Sequence, residues 1–312
     1  MAIKLAPLHP LFVAQVTGVD LTSPIPDDVF AKIEAAFHRY AILVFPGQPL
    51  TDDQQIDFTK RFGPLETAPN YAGAALRLRN EFTDISNLDH EGRILDPKDR
   101  LNQYNLGNQL WHTDSSFKAR RAKCSLLSAR EIPPVGGETQ YADMRSAYDA
   151  LPEERKSQLH GLVAEHSIAY SRSLTGFDGF NSDIATTLPP VPQRLVDYYP
   201  ESGRTSLYLA SHASHIVGWP VEEGRALLEE LTAFATQEQF VYTQNWKVGD
   251  LVLWDNRCTM HRGRPYDPTQ RRVLHRTTVS DIATSFLEPE SKVGDTADSR
   301  QGASGIGPRA VD

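Results

Sequence analysis

The segment Trp111-His112-Thr113-Asp114 presents an imidazole and a carboxylate two residues apart, and on an extended backbone residues i and i+2 share a side. Such a pair can chelate one ion. A second imidazole, His261, follows Trp254-Asp255-Asn256-Arg257-Cys258-Thr259-Met260 and stands eleven residues before Arg272. Two histidines and one carboxylate form the facial triad of non-haem Fe(II), which leaves coordination positions open for a cosubstrate and oxygen. The same three ligands with a water also suit a zinc hydrolase. By itself His-x-Asp recurs by chance, and a lone histidine is more often a surface or satisfied core residue. A further pair, His212 and His215, has no carboxylate or cysteine close by in sequence, so pocket or surface roles suit it better than a second metal site.

The stretch Arg271 to Ser280 reads as a strand, and a period of two places Arg272, Leu274, Arg276 and Thr278 on one face. Val273, His275, Thr277 and Val279 take the other. At about 3.3 Å per residue the two arginine Cα atoms are roughly 13 Å apart, the scale on which each could hold one of two anions lying side by side. An outward, solvated face is the competing reading.

Elements that could position these groups follow from the apolar pattern. Helices are expected over Asp27 to Tyr40, where Val29, Ile33 and Phe37 recur every four residues, and over Thr51 to Phe62, which opens with the capping-box pattern Thr51-x-x-Gln54. A strand, Ala41 to Phe45, separates them. Further helices are expected at Met144 to Leu151, Pro152 to Leu162 and Val221 to Thr236, the last with Leu227, Leu228, Leu231 and Phe234 on one side. Gly249-Asp250 marks a turn before a strand beginning at Leu251, and the remainder is short strands punctuated by Gly and Pro.

The 312 residues suit one large domain, and 40% hydrophobic with 23% charged residues is the balance of a globular chain with a sizeable core. One domain over residues 1–287 is expected. The last stretch, Glu288 to Asp312, has no aromatic residue and is rich in Gly, Ser, Asp and Pro, so it reads as a mobile tail. No run approaches the roughly 18 apolar residues of a membrane span. Two cysteines, Cys124 and Cys258, and an N-terminus without an unbroken apolar stretch fit a cytoplasmic protein. A net charge of −8 disfavours nucleic acid and leaves a small molecule as the expected partner.

The motifs together resemble a known family. They include Leu43-Val44-Phe45-Pro46-Gly47-Gln48-Pro49-Leu50, Arg61-Phe62-Gly63-Pro64-Leu65-Glu66 and Asn108-Gln109-Leu110-Trp111-His112-Thr113-Asp114. Leu8-His9-Pro10-Leu11-Phe12, Pro133-Pro134-Val135-Gly136-Gly137-Glu138-Thr139, the stretch Asp143 to Pro152, Ser211-His212-Ala213-Ser214-His215 and Val248-Gly249-Asp250-Leu251-Val252-Leu253-Trp254-Asp255-Asn256-Arg257 complete the set. In order and content the chain, from about residue 8 to 283, resembles the Fe(II)- and 2-oxoglutarate-dependent dioxygenases of the taurine dioxygenase type. Within that group the 2,4-dichlorophenoxyacetate dioxygenase branch is the most similar.

The resemblance implies a mainly β fold with flanking helices, a double-stranded β-helix or jelly-roll barrel with the metal at its mouth. It implies Fe(II), 2-oxoglutarate as cosubstrate and O2, with His112, Asp114 and His261 as iron ligands. Arg272 and Thr139 match the residues that hold the far carboxylate of 2-oxoglutarate, a task for which the planar guanidinium is better suited than an ammonium. Arg276 matches the position that meets the anionic head of the primary substrate. Asn108 matches a pocket position, His212 and His215 are candidates to line the pocket, and Arg93, in the charged stretch Asn87 to Arg100, is a candidate contact for an incoming carboxylate. Trp111 and Trp254 would shield the metal. Residues 66–100 and 172–192 match least securely, and substrate choice should be encoded there. The implied reaction hydroxylates a small anionic molecule such as an aryloxyacetate, releasing a phenol and glyoxylate; a sulfonate, alkyl sulfate or natural aromatic acid is the alternative. A homo-oligomer is implied by the resemblance alone.

Overall fold

A computed structural model describes residues 2–67, 76–177 and 188–282. Its largest sheet contains β1 (Lys4–Pro7), β2 (Ala14–Thr17), β3 (Ile42–Phe45), β4 (Thr83–Ser86), β5 (Ala122–Glu131), β13 (Leu251–Asp255) and β15 (Val273–Ser280). Their order is β1-β2-β3-β13-β5-β15-β4, antiparallel throughout except for β2 with β3. A three-stranded sheet is formed by β12 (Val241–Gln244), β6 (Thr139–Asp143) and β14 (Thr259–Gly263). It packs on the inner face of the large sheet, where Tyr141 of β6 meets Trp254 of β13 with ring centroids 5.5 Å apart. The remaining strands are β11 (Ala213–Ile216) paired with β7 (Val163–His166) and β8 (Val191–Arg194), and the hairpin of β9 (Val196–Tyr199) with β10 (Arg204–Leu207). The strands form facing sheets rather than a continuously bonded barrel, and side-chain packing joins the sheets.

Strand β3 reads Ile-Leu-Val-Phe because both of its faces are covered. Leu43 and Phe45, with Leu126, Leu251 and Leu253, pack outward against Val29, Ile33 and Phe37 of α1 (Asp27–Tyr40) and Phe58 of α2 (Asp52–Lys60). Ile42 and Val44 point inward with Leu127, Val252 and Trp254. Ala41, at φ 60°, ends α1 in the left-handed region and turns the chain directly into β3. At the start of α2 both bonds of the expected capping box form: Gln54 N–H donates to the Thr51 hydroxyl at 3.2 Å, and Thr51 N–H donates to the Gln54 side chain at 2.8 Å.

The other expected helices are α4 (Met144–Asp149), α5 (Glu153–Leu159) and α7 (Val221–Ala235). Helix α5 stops short of the expected Leu162 because the chain turns at Gly161, φ 78°. The two short helices α3 (Arg100–Asn105) and α6 (Ile168–Ser173) have no signal in the sequence, since six residues cannot display a periodic apolar face. Leu227, Leu228 and Leu231 of α7 pack with Leu207 and Ile216, and Phe234 is partly buried against the same cluster. The expected tail lies outside the described residues, as does part of each segment thought to encode substrate choice. Among the described residues no helix is long and apolar enough to cross a membrane.

Helix α2 settles which way β15 faces. Gln55 donates from its side-chain amide to the His275 carbonyl at 2.9 Å, the Thr59 and Thr277 hydroxyls lie 2.7 Å apart, and Asp52 accepts from His275 Nδ1 at 2.9 Å. The His275 face is therefore the one under the helix. Arg272 and Arg276 point inward, and the solvated-face reading fails.

Candidate active site

Strand β14 carries His261, and the His112 backbone extends its edge. His112 N–H donates to the His261 carbonyl at 3.0 Å, and His261 N–H donates back at 2.8 Å, which sets the two imidazole centroids 4.2 Å apart. The intervening Thr113 is buried and pins the loop, its hydroxyl lying 3.0 Å from the Leu209 carbonyl and 3.1 Å from that of Thr259. Asp114 then reaches the same point. One ligand-type atom from each of His112, Asp114 and His261 lies within 4.8 Å of the others, and all three residues are buried.

The donor set suits a divalent cation. His112 Nδ1 lies 2.7 Å from the Leu110 carbonyl; a carbonyl can only accept, so Nδ1 carries the proton and Nε2 keeps its lone pair. Burial drives the His112 pKa down to about 4 despite the nearby Asp114 charge, and burial likewise holds His261 well below its ordinary value. Both rings are neutral near pH 7. Burial also opposes ionisation of Asp114, but Arg276, the two histidines and the Ser125 hydroxyl prevail and hold its carboxyl below the usual range. Ser125 donates to Asp114 Oδ2 at 2.8 Å and accepts from Asn256 at 2.9 Å, while Trp254 donates to Asn256 at 2.8 Å. Two neutral imidazoles and one fixed carboxylate are the ligand chemistry of a non-haem iron centre.

Two cavities meet at this cluster, of about 190 and 370 Å³, and share Asn108, His112 and Arg276 in their walls. The larger is lined by His261, Thr139 and Arg272. Arg272 is buried, and both its Nε and Nη2 donate to the Gly137 carbonyl, at 3.1 and 3.0 Å. The Thr139 hydroxyl accepts the Trp246 indole N–H at 3.0 Å, which leaves its own proton available to a ligand. The smaller cavity is lined by Asp114, His212 and Arg172, and Arg276 there donates to Asp114 Oδ1. His212 is buried, with Nδ1 2.9 Å from the Ser116 hydroxyl and its ring edge-on to His112 at 6.2 Å. Asn108 is only partly buried and lines both cavities, as its expected pocket position requires.

Two expected site residues do not join the cluster. Arg93 is 70% exposed, pairs with Asp89 and Glu91 and lines neither cavity, although its neighbours Asp89 and His90 line the smaller one and Asn87 and Leu95 the larger. His215 lines neither cavity; β11 turns it toward Ser214 and Glu165, at 2.9 and 3.8 Å. Trp254 is fully buried 4.8 Å from His261, as a shielding aromatic should be, whereas Trp111 is partly buried and stacks under Arg262. Sequence reasoning missed Ser125, Asn256 and Arg172. Ser125 pairs with Thr278 and has inward parity on its strand, so a period-two reading could have found it once the faces were assigned; Arg172, on a short helix, gave no such signal.

Residues 4–278 match the taurine catabolism dioxygenase TauD, TfdA family. The chain is 45% identical over 291 residues to an alpha-ketoglutarate-dependent 2,4-dichlorophenoxyacetate dioxygenase of Cupriavidus pinatubonensis, covering 91% of this chain and 99% of the relative. It is 41% identical over 287 residues to an (S)-phenoxypropionate/alpha-ketoglutarate dioxygenase of Sphingobium herbicidovorans, covering 89% and 95%. The crystal structure of AAD-2 with Mn(II) and N-oxalylglycine superposes with a TM-score of 0.88 at 45% identity, covering 91% of this chain and all of that one. The paired cavities, the buried His-Asp-His cluster and these likenesses converge: the chain belongs to the TauD/TfdA family and is a non-haem Fe(II)- and 2-oxoglutarate-dependent dioxygenase.

Proposed function

We propose that the protein hydroxylates the carbon next to the carboxylate of an aryloxyacetate such as 2,4-dichlorophenoxyacetate. With 2-oxoglutarate and O2 the products are succinate, CO2 and a hemiacetal that collapses to a phenol and glyoxylate. One oxygen atom enters succinate and the other the hydroxyl group. Bound iron supplies the oxidising chemistry; the side chains position the reactants and exclude water. His112, Asp114 and His261 hold the metal, Arg272 and Thr139 hold the far carboxylate of 2-oxoglutarate in the larger cavity, and Arg276 meets the substrate carboxylate in the smaller one. Asn108 and His212 shape the wall between substrate and metal.

The observation that carries this reading is the pair of cavities joined at His112 and Arg276, each with an inward arginine, in a chain 45% identical to a 2,4-dichlorophenoxyacetate dioxygenase. The reactive carbon of an aryloxyacetate adjoins its carboxylate, so the residue gripping that anion must stand beside the metal ligands. Arg276 touches Asp114. The test is succinate formation by Fe(II)-reconstituted enzyme in air with a panel of aryloxyacetates, aryl acids, sulfonates and alkyl sulfates. Stimulation by an aryloxyacetate with equimolar phenol is the expected result; stimulation only by a sulfonate or alkyl sulfate would replace the substrate.

A further inference from the structure

Charge matching within the smaller cavity leaves one cation over. The carboxylates in its wall each have a basic partner among the described residues, the deepest being Glu66 with Lys118 at 2.6 Å and Asp114 with Arg276. Arg172, near the end of α6, is 6% exposed and lines the same wall. Its guanidinium makes no ion pair or hydrogen bond with any described residue, and its Nε is buried without a partner. The face of Tyr104, 4.4 Å away, is its support. Burying a guanidinium with its N–H groups unpaired is costly unless something else supplies the acceptors.

The seat is shaped for that side chain. A Cβ on Gly107 would stand 2.1 Å from Arg172 Nη1, so glycine there clears the space the guanidinium occupies. The larger cavity is built in the same way: Arg272 makes no ion pair with a carboxylate among the described residues, lies against Tyr266 at 5.5 Å, and passes Gly137, where a Cβ would stand 3.0 Å from Nε. Each cavity thus holds one buried arginine seated on a tyrosine face, cleared by a glycine and without an ion-paired carboxylate among the described residues.

We infer that Arg172 is a specificity-determining residue that binds the anionic group of the primary substrate together with Arg276. Arg276 shares its charge with Asp114, whereas Arg172 offers its whole charge to the ligand, and a planar fork suits a carboxylate bidentately. This rests on the reading that the smaller cavity takes a small anion. It also puts an anion-recognising group at the edge of residues 172–192, one of the two stretches expected from the sequence to encode substrate choice.

The test is calorimetric binding of phenoxyacetate and of neutral 2-phenoxyacetamide to anaerobic enzyme loaded with Fe(II) and 2-oxoglutarate. Arg172→Met should raise the Kd of phenoxyacetate at least tenfold and that of the amide less than twofold, and Arg172→Lys should recover part of the loss. Gly107→Ala, which keeps the guanidinium and removes its seat, should shift the two ligands in the same unequal way. A phenoxyacetate Kd within twofold of wild type, or equal losses for both ligands, overturns the inference. If wild type binds no aryloxyacetate, that substrate reading fails separately, and selenate soaked into crystals decides Arg172: anomalous density against its guanidinium supports the role, and density absent there while present at Arg272 refutes it.

Discussion

Substituting Gly137 by alanine should cost the protein its grip on 2-oxoglutarate more than its fold. Gly137 lies at φ 74° in the Gly136-Gly137 turn, and its carbonyl receives both Nε and Nη2 of Arg272. An added methyl would stand 3.0 Å from Arg272 Nε, 3.1 Å from its Cδ and 3.2 Å from Pro133 Cγ. Left-handed backbone costs an L-residue about 1–2 kcal/mol. Relief comes by rotating the carbonyl or displacing the guanidinium, and either route disturbs a charge-assisted contact of about 1.5–3 kcal/mol. Assigned to ligand binding, that loss is roughly a 10- to 100-fold rise in Kd for 2-oxoglutarate. Titration calorimetry on anaerobic Fe(II)-loaded protein measures it, with a urea midpoint recorded in parallel. Gly136→Ala is the control: φ is 80°, but its Cβ would meet the Pro265 carbonyl at 2.7 Å, so stability should fall with a smaller effect on 2-oxoglutarate. A folded Gly137→Ala variant with a 2-oxoglutarate Kd within twofold of wild type would refute the proposed seat.

Arg276→Ala should weaken turnover of carboxylate substrates by about 2–5 kcal/mol, as removal of one partner of a buried charged pair does; unchanged kcat/KM counts against its role. Ser125→Ala removes the hydroxyl that donates to Asp114 Oδ2, and Fe(II) affinity measured against a competing chelator should drop roughly 10- to 100-fold, with an unaltered affinity showing that the hydroxyl does not orient the ligand. His166 is fully buried with both ring nitrogens unpartnered among the described residues, and burial, reinforced by Arg121, presses its pKa from 6.5 down to about 3. Its contribution to stability is therefore complete above about pH 6.5 and declines as the unfolded chain alone takes up the proton, by about 2 kcal/mol at pH 5. Urea melts at pH 7.5 and 5.0 should show His166→Leu losing about that much less than wild type, and equal losses would rule the residue out as an acid sensor of stability.

Residues with a period or a cap were legible from the chain alone. Thr51-x-x-Gln54, the Val29-Ile33-Phe37 stripe and the parity of Arg272 and Arg276 each encode a local geometry that tertiary packing then kept. His112, Asp114 and His261 were legible as ligand types, but their convergence depends on a backbone bridge between residues 149 positions apart, which no local pattern contains. Arg93 misled because a charged side chain in such a loop looks alike whether it enters a pocket or pairs with its own neighbours; here Glu91 and Asp89, two and four residues away, take its charge. His215 misled because it was grouped with His212 by spacing, while His212 stands just before β11 against Ser116 and His215 lies within the strand beside Ser214.

The net charge of −8 and the proposed active site for two anions are reconciled by where charge is cancelled. Glu81, Asp84 and Asp89 at the rim pair with Arg79, Arg77 and Arg93, so they cancel locally and project little field inward. Deeper in, Arg272 is held by a backbone carbonyl and a tyrosine face, and Arg172 by a tyrosine face. Neither support neutralises the cation. A carboxylate in either place would stabilise the fold by pairing a buried charge, and it would equally compete with the ligand for the guanidinium N–H groups. Seating a guanidinium on a carbonyl or an aromatic ring gives up some of that stability to keep the charge available, and the large packed sheet, apolar on both faces over β3 and β13, is what makes the concession tolerable.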